Sequence, residues 1–535
     1  MTWLASLPPA CDCLRDYQRK LLADIDAALE DGSRRILAQA PTGSGQTHCI
    51  SSIVAAVRAA GLRALIVATR TRIVRQLHER HDAFGVDHGV IAAVLPALNY
   101  RAAPVQIASV DTLYRRALVN GRMQLPSADI VVFDEAHLSL GESRVAILDQ
   151  YPDAIHFGFT ATPAKISGRP LRERYDDLIL GPTVRQLIAT GDLVRTRIFS
   201  APVATEAELA GVDKDSKTGD YVVEQIGALM IRPKLVGNVI ENWLRIANGR
   251  KTLTFACTKA HAAALVEEYL RVGVAAELLT DQTPEPEREE AIYRLETGAT
   301  TVIVNCFLLS YGIDIPNVEC IQLARPTRSL VLYLQAVGRG MRPAAGKDYV
   351  ILIDHGRVVE SLGMPDGDFG WSLDAENVNT RARAELAARR DGEEQYRTCP
   401  ECQHMWLVAE EGPGCTNCGW APAPKAKPIA VLAAELREIT ARAAAEDAER
   451  EAFYREALGW YRQRWPERWA QKEKSARWAA WMWTRERFEL TAERPPSRFW
   501  WLASTPATAA TGGWLRSRLI AFAKRRQRDP VNVTA

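Results

Sequence analysis

Short apolar runs alternate with longer segments of helical periodicity over the first two thirds of the chain. The first runs, which predict strands, lie at residues 36–38, 64–68, 105–108, 130–133 and 156–159. Between them, periodic segments such as 47–60 and 71–84 predict helices. Strands that alternate with helices in this way are typical of a parallel sheet with crossover helices.

A second series of the same kind begins near Lys251. Its strands are predicted at residues 252–256, 274–279, 301–305, 318–323 and 348–353. Its helices are predicted at residues 259–272, 286–297 and 330–340. The pattern therefore predicts an α/β fold with two parallel-sheet domains, at 1–200 and 251–375, joined by a segment at 201–250. Within that segment, the stretch 211–220 is expected to form an exposed turn or hairpin.

The alternation ends after Asp354, and the composition of the chain changes. Four of its ten cysteines lie between residues 399 and 418, and nine of its fourteen tryptophans follow residue 459. The proline-rich stretch 421–428 predicts a linker, whereas 429–464 is rich in Ala, Glu, Arg and Leu and predicts helix. We therefore expect a zinc-binding module at 376–425 and a mainly helical domain at 426–535.

The overall charge excludes a uniformly basic nucleic-acid coat protein, because 67 Lys and Arg residues are balanced by 65 Asp and Glu residues. Residues 1–13 lack the basic and apolar regions of a secretory signal. No apolar run approaches the ~20 residues that a transmembrane helix needs. The sequence therefore predicts a cytoplasmic protein with reduced cysteines.

The sequence APTGSGQT at residues 40–47 stands between a predicted strand and a predicted helix, which is the context of a phosphate-binding loop. Gly43 and Gly45 let backbone N–H groups turn toward phosphate oxygens, and the helix adds its positive N-terminal end. The hydroxyl of Thr47 is a candidate ligand of Mg²⁺. The pattern requires Lys before this Thr, but the chain has Gln46, which brings no charge to the β- and γ-phosphates.

Two carboxylates end the apolar strand in IVVFDEAH at residues 130–137. Asp134 is the candidate to hold Mg²⁺, directly or through water, and Glu135 is the candidate to polarise the attacking water. Solvated acids at a strand end are the alternative interpretation, which the upstream phosphate loop disfavours.

A third motif, QAVGRGMR at residues 335–342, places Gln335, Arg339 and Arg342 on one face of a predicted helix. The two guanidiniums could reach a γ-phosphate as arginine fingers, which contribute on the order of 10³–10⁵ in rate. A basic surface helix is the alternative.

Five further motifs are LRDYQ at 14–18, which lies upstream of the phosphate loop, ATRTRIVRQ at 68–76, SVDTL at 109–113, TAT at 160–162 and NCFLLSYGID at 305–314. Together and in their order along residues 14–353, the eight motifs resemble those of superfamily 2 helicases and translocases. The resemblance implies two RecA-like domains with ATP in the cleft between them and nucleic acid across the top. It implies nucleotide contacts for Arg15, Tyr17, Gln18, Thr42, Gly43, Ser44, Gly45, Gln46, Thr47, Gly312 and Asp314. It implies nucleic-acid contacts for Thr69, Arg70, Asp111, Thr112, Thr258 and Ser310.

Within the superfamily, residues 325–347 look most like RadD-type and type III restriction-type enzymes, which act on DNA. The resemblance implies an ATP- and Mg²⁺-dependent helicase or translocase on single-stranded, forked or branched DNA. We interpret Gln46 as an introduced substitution that disables hydrolysis. The alternatives are a natural ATP-clamped DNA-binding or scaffold protein, an RNA remodeller, and the motor subunit of a restriction or defence complex.

Cys399, Cys402, Cys415 and Cys418 follow the spacing C-x₂-C-x₁₂-C-x₂-C, which is typical of a closed tetrahedral zinc site. A closed site favours a structural role for Zn²⁺, with a contact to nucleic acid as a further possibility. His404 is expected to be a bystander rather than a ligand.

Aromatic residues alternate with Arg and Lys between residues 460 and 514. Either these tryptophans stack on exposed bases, or they form the core of a small helical domain with Arg stems packed over it. We favour the core interpretation for most of them. The cationic end at 515–528 could still bind phosphates or a protein partner.

Overall fold

The computed structural model describes residues 14–69, 71–93, 95, 98–138, 141–306, 317–374, 377–383, 396–422, 441–492 and 494–528. The chain forms two compact units, Met1–Ala423 and Pro424–Ala535. None of the helices in the described part of the chain combines the length and the apolar character that crossing a membrane requires.

The first sheet consists of seven strands that all run parallel. They are β1 (Arg35–Gln39), β2 (Ala64–Ala68), β3 (His88–Ile91), β4 (Val105–Ser109), β5 (Ile130–Asp134), β6 (Ile155–Thr160) and β7 (Asp177–Leu180). Their order is β3-β4-β2-β5-β6-β1-β7. The central strands β2 and β5 are buried along their whole length, as expected for a parallel sheet covered on both faces. The five predicted strands are confirmed, and β3 and β7 are additional.

Helices cover both faces of this sheet. They are α1 (Asp16–Glu30), α2 (Gln46–Ala59), α3 (Thr71–Ala83), α4 (Val110–Leu113) and α5 (Glu142–Leu148). The next helix, α6 (Val184–Ala189), instead buries Leu187 in a core of the second domain. α1, α2 and α3 bury apolar side chains such as Leu22, Ile50 and Val74 in one core. α4 and α5 bury Leu113 and Ile147 in a second core.

The second sheet has eight strands. They are β8 (Arg195–Ser200), β9 (Thr252–Phe255), β10 (Ala276–Leu279), β11 (Val302–Asn305), β12 (Cys320–Leu323), β13 (Tyr349–Asp354), β14 (Tyr396–Thr398) and β15 (His404–Leu407). Their order is β10-β11-β9-β12-β13-β8-β15-β14. The first six run parallel, and β15 and β14 extend the sheet in antiparallel fashion. The two predicted α/β domains are therefore confirmed.

The second sheet also has its own helices. They are α7 (Glu206–Ala210), α8 (Val223–Met230), α9 (Pro233–Ala247), α10 (Lys259–Arg271), α11 (Glu285–Thr297), α12 (Leu330–Gly338), α13 (Val358–Leu362) and α14 (Val408–Glu411). α9 and α10 pack Trp243, Leu265 and Tyr269 against one face of the sheet. α12 packs Leu330, Val331 and Val337 into the core on the other face.

The second domain extends beyond the range that the sequence predicts for it. β8 lies within the predicted first domain, yet it pairs with β13 of the second sheet. α9 comes from the predicted connecting segment, and β14 and β15 come from the predicted zinc module. Local sequence pattern does not reveal these associations, because each depends on a partner that is distant in sequence.

The stretch 211–220 forms a turn closed by an isolated bridge between Lys214 and Tyr221. Most of it is exposed, as predicted, but Val212 and Asp220 are buried. The Asp220 carboxylate accepts hydrogen bonds from Oγ1 of Thr327 at 2.7 Å and from the backbone N–H of Arg328 at 2.6 Å. The expectation of an exposed turn or hairpin is therefore corrected at these two residues.

The unit Pro424–Ala535 is helical in its described part. Its helices are α15 (Ala441–Arg464), α16 (Pro466–Gln471), α17 (Glu473–Arg487) and α18 (Ala509–Arg528). Its core contains Phe453, Tyr454, Leu458, Trp460, Trp481, Phe499 and Leu515. Trp478 and Trp501 remain 42% and 86% exposed. The core interpretation therefore holds for Trp460 and Trp481 but not for these two side chains.

Candidate functional site

The glycine-rich turn between β1 and α2 is shaped by neighbours that approach its backbone closely. Gly43 and Gly45 have φ angles of 90° and 81°, a conformation that L side chains rarely adopt. A Cβ atom at Gly45 would lie 2.5 Å from Nε2 of Gln18. A Cβ atom at Gly43 would lie 3.2 Å from Cγ of Arg342, which belongs to the second domain. Side chains at either position would therefore disturb the loop.

The turn opens on a cavity of about 520 Å³ that both domains line. The predicted site residues around it are Thr42, Gly43, Gly45, Gln46, Thr47, Asp134, Glu135, Arg339 and Arg342. The structure therefore brings together the loop, the acid pair and the two arginines, although these motifs are far apart in the sequence.

Gln46 is bound to the loop that carries it. Its Nε2 donates a hydrogen bond to the carbonyl oxygen of Ala40 at 2.5 Å. An amide held in this way brings no positive charge into the cavity. The arginine side chains that line the cavity are those of Arg80, Arg339 and Arg342. At the position where the motif requires Lys, the described cavity thus has a neutral group.

The upstream motif holds the phosphate loop by its backbone. The carbonyl oxygen of Ser44 accepts hydrogen bonds from the Tyr17 hydroxyl at 3.0 Å and from Nε2 of Gln18 at 2.9 Å. Arg15 donates to the Tyr17 hydroxyl at 3.2 Å and forms an ion pair with Asp192. These residues therefore contact the loop directly, and their contact with a base stays a prediction.

The acid pair lies at the carboxyl end of β5. Glu135 has a φ angle of 54°, which is uncommon for a residue other than glycine. Its backbone N–H donates to Oδ1 of Asp134 at 2.9 Å. Burial raises the pKa of both carboxyl groups, repulsion by Asp134 raises the pKa of Glu135 further, and the Arg339 guanidinium opposes both shifts. A further cation bound beside the pair would favour the ionised form of both groups.

A chain of polar contacts connects this pair with the second domain. Nδ1 of His137 lies 3.4 Å from Oε2 of Glu135 and 3.1 Å from Oγ1 of Thr160. Nε2 of Gln335 donates to Nε2 of His137 at 3.1 Å and to Oγ1 of Thr162 at 3.3 Å. Burial lowers the pKa of His137 to about 3, so its imidazole is neutral and can accept. Gln335 thus contacts two motifs of the first domain.

Arg339 and Arg342 enter the cavity from the end of α12. The helix ends at Gly338, so Arg342 lies beyond it and does not share the predicted helix face with Gln335. Both guanidiniums nevertheless line the cavity. Arg339 is 5% exposed and favours the ionised forms of Asp134 and Glu135.

The described residues expected to contact nucleic acid follow the carboxyl ends of parallel strands. Thr69 follows β2, Asp111 and Thr112 follow β4, and Thr258 follows β9. Oγ1 of Thr258 accepts from the backbone N–H of His261 at 3.1 Å and so caps α10. The remaining predicted residues, Arg70, Ser310, Gly312 and Asp314, lie outside the described residues.

The four clustered cysteines converge. Sγ of Cys399 lies 3.6 Å from Sγ of Cys418, and Sγ of Cys402 lies 3.6 Å from Sγ of Cys415. All four sulfur atoms lie within 4.8 Å of one another. Thiolates about 2.3 Å from a tetrahedral zinc ion are about 3.8 Å apart, so this donor set fits zinc. Nδ1 of His404 lies 3.9 Å from Sγ of Cys415, outside the four-sulfur set.

Some residues that line the cavity were not among the predicted site residues. α3 contributes Gln76, Glu79 and Arg80, and the start of α2 contributes His48. The α3 residues are three and four positions apart, which places them on one face of the helix. The helical periodicity of this segment was the signal that could have identified them.

Two family models match the chain. Residues 13–165 match the type III restriction enzyme, res subunit, and residues 234–344 match the helicase conserved C-terminal domain. The "51.5 kDa protein" of a Lactococcus phage is 28% identical over 384 residues, which is 71% of this chain and 77% of that protein. The "Putative ATP-dependent helicase IRC3" of Saccharomyces cerevisiae is 27% identical over 358 residues.

The match to the yeast protein covers 64% of this chain and 51% of the relative, so the chain spans about half of that relative's length. Among solved structures, a fragment of an HsdR subunit of a type I restriction enzyme from Vibrio vulnificus has a similar fold. Its TM-score is 0.53 at 21% sequence identity, and the match covers 68% of each chain.

Proposed function

We propose that this chain is an ATP-driven DNA helicase or translocase. The premise is that it belongs to the superfamily 2 helicases of the restriction-enzyme Res type. The observation that carries the proposal is the shared cavity. A glycine-rich loop and an acid pair from the first domain lie around it with two arginines from the second domain. A triphosphate bound there would contact both domains, so its hydrolysis would change the contact between them.

Each side chain of the cavity has a role in this proposal. Thr47 and Asp134 would hold Mg²⁺, which would supply positive charge to the phosphates. Glu135 orients and polarises the attacking water, and its contact with His137 fixes the position of its carboxylate. Arg339 and Arg342 stabilise the negative charge that develops on the γ-phosphate.

Binding of the base and of DNA completes the proposal. Arg15, Tyr17 and Gln18 contact the base. Tyr17 and Gln18 couple base binding to the loop, because both donate hydrogen bonds to the carbonyl oxygen of Ser44. DNA lies across the carboxyl edges of the two sheets, where it meets Thr69, Asp111, Thr112 and Thr258. Arg70 and Ser310, which lie outside the described residues, are the further contacts that the resemblance implies. Gln335 connects this edge with the acid pair. It contacts Thr162, which follows the carboxyl end of β6, and His137, which in turn contacts Glu135.

We further propose that this chain binds ATP but hydrolyses it poorly. The neutral Gln46 amide donates to Ala40 and cannot neutralise the transferring phosphoryl group. Removing a single preorganised group that stabilises transition-state charge costs about 10²–10³ in rate. The rest of the cavity keeps the residues that the motifs require, which supports a single substitution rather than general loss of the site.

The test is restoration of the cation. Gln46→Lys should raise ATP turnover by about 10²–10³, and DNA should stimulate that turnover more than RNA does. Gln46→Met is the matched control, because it is of similar size but uncharged, and it should remain inactive. A folded Gln46→Lys protein that binds ATP and shows no turnover with single-stranded, duplex or forked DNA would refute the motor proposal.

The Cys399–Cys418 cluster has a separate role in the proposal. We assign it a structural Zn²⁺ ion, because four thiolates leave no open position for a substrate. β15, which lies within the cluster, pairs with β8 of the second sheet. The zinc module thus supports the edge of the second domain.

The unit Pro424–Ala535 is the candidate surface for a protein partner or for additional DNA.

A further inference from the structure

Three potential metal ligands converge on the side of the first domain next to β3. His78 and Asp82 lie four residues apart on α3, and His88 is the first residue of β3. Nδ1 of His78 lies 2.8 Å from Nε2 of His88. The Asp82 carboxylate oxygens lie 3.5 Å from Nε2 of His78 and 3.9 Å from Nε2 of His88. One nitrogen of each imidazole and one carboxylate oxygen all lie within 4.8 Å of one another.

The hydrogen bonds of His88 prepare it to bind a metal ion. Its Nδ1 lies 2.7 Å from the carbonyl oxygen of Val86. A carbonyl oxygen can only accept, so Nδ1 carries a proton, and Nε2 offers its lone pair either to the N–H of His78 Nδ1 or to a metal ion in its place. Nε2 of His88 is the atom that faces His78 and Asp82. A backbone carbonyl that fixes the tautomer of a ligating imidazole is the usual outer partner in histidine metal sites.

The surroundings hold the donors in place and leave access from solvent. The side chain of His88 is 3% exposed, whereas that of Asp82 is 62% exposed. The buried ring of His81 lies 5.6 Å from the ring of His88 and is held by the carbonyl oxygen of Leu77 at 2.7 Å. His81 thus forms a wall behind the pair. An ion could reach the site past Asp82 without opening the fold.

We propose that His78, Asp82 and His88 bind one divalent transition-metal ion, with zinc as the class that this donor set favours. Two imidazole nitrogens and one carboxylate oxygen suit Zn²⁺, Co²⁺ and Ni²⁺ better than Mg²⁺, which prefers oxygen ligands. Ligand atoms about 2.0–2.1 Å from a tetrahedral zinc ion are about 3.3 Å apart. Nε2 of His88 lies 2.8 Å from Nδ1 of His78 and 3.9 Å from Oδ1 of Asp82, and these two separations bracket that value. A fourth position remains for water.

This site has a consequence for the nucleotide cavity. A bound ion joins the last turn of α3 to the start of β3. Another face of α3 contributes Gln76, Glu79 and Arg80 to the cavity. The metal therefore limits the movement of a helix that lines the cavity, although it neither touches a phosphate nor takes part in the reaction.

The metal content of the full chain tests the proposal without any measurement of activity. The parent protein should bind two equivalents of zinc, one at the cysteine cluster and one here. Asp82→Asn and His78→Ala should each lose one equivalent, or weaken the second site by at least about tenfold. Asp87→Asn is the matched control, since it removes the same charge from an exposed residue next to His88 and should keep both equivalents.

Co²⁺ distinguishes the two sites by spectroscopy. At the cysteine cluster it produces thiolate-to-metal charge transfer, whereas at an imidazole and carboxylate site it produces only weaker visible bands. We expect Asp82→Asn to lose the weaker bands and to keep the charge transfer. A parent protein that binds a single equivalent, or an Asp82→Asn protein with unchanged content and spectrum, would overturn the site. Asp82 is exposed, so this variant should fold even if His78→Ala does not.

Discussion

Asp134 and Glu135 show how burial sets the charge of individual side chains in this molecule. Their carboxyl groups lie side by side, and burial and mutual repulsion raise their pKa values. A carboxyl group whose pKa is higher in the folded chain stabilises the fold in its protonated form. That contribution is complete below the unfolded pKa, near 4, and it is lost as the pH rises through the raised folded pKa.

Glu135→Gln should therefore make the nucleotide-free protein more stable at pH 8 and change it little at pH 4–5. The amide does not ionise, so the variant avoids the cost of a second buried charge, which is on the order of 1 kcal/mol per pKa unit. Thermal unfolding followed by circular dichroism across this pH range measures the difference. Glu142→Gln, at the exposed start of α5, is the control. A stability difference that is the same at every pH would contradict the explanation.

The identity of the site residues could be predicted because each motif is local. The phosphate loop, the acid pair and the cysteine cluster each occupy a short stretch whose spacing limits its chemistry. The contacts of Gln335 could not be predicted in this way. Its partners His137 and Thr162 are 198 and 173 residues away and belong to the other domain. Only the packing of the two domains brings these three side chains together.

Among the strands, too, some are predicted by their own sequence, whereas others depend on partners that are distant in sequence. β2 occupies the predicted residues 64–68, because five consecutive apolar residues identify a buried strand. β8 carries the sequence RTRIFS, in which two arginines interrupt the apolar pattern. It is a strand because β13 and β15 pair with its two edges. Such a strand is defined by its neighbours rather than by its own composition.

The pairing of β15 with β8 makes a prediction about the zinc module. Cys402→Ser should lower the zinc content by one equivalent and reduce the thermal stability of the second domain, because the loop that holds β15 in place opens. Structural zinc contributes about 10–16 kcal/mol of apparent binding free energy in small modules. Metal analysis and thermal unfolding of the full chain measure both effects.

Cys306→Ser is the control for that substitution, since Cys306 is a half-buried thiol outside the cluster. It should keep the full zinc content. If Cys402→Ser retains the same zinc as the parent, the four-thiolate site is wrong, and the convergence of the sulfur atoms is merely a feature of packing.

The whole molecule distributes its charge unequally. Residues 424–535 contain 22 Lys and Arg residues against 13 Asp and Glu residues, whereas residues 1–423 contain 45 against 52. The helical unit is therefore positive, and the unit with the nucleotide cavity is negative. The net charge of +2 conceals this difference. A positive unit of this kind attracts nucleic-acid phosphates regardless of base sequence.

Removal of the unit Pro424–Ala535 should consequently weaken DNA binding and reduce its salt dependence. Each neutralised phosphate contributes about 0.7–0.9 to the slope of log affinity against log salt, so the loss of three contacts lowers the slope by about 2–3. Fluorescence anisotropy of a labelled single strand at several salt concentrations measures the slope for both chains. The nucleotide cavity lies entirely in the first unit, so ATP binding by the shortened chain verifies that it is folded. If that chain binds ATP and keeps the original slope, the first unit alone carries the phosphate contacts, and the positive charge of the helical unit serves a protein partner instead.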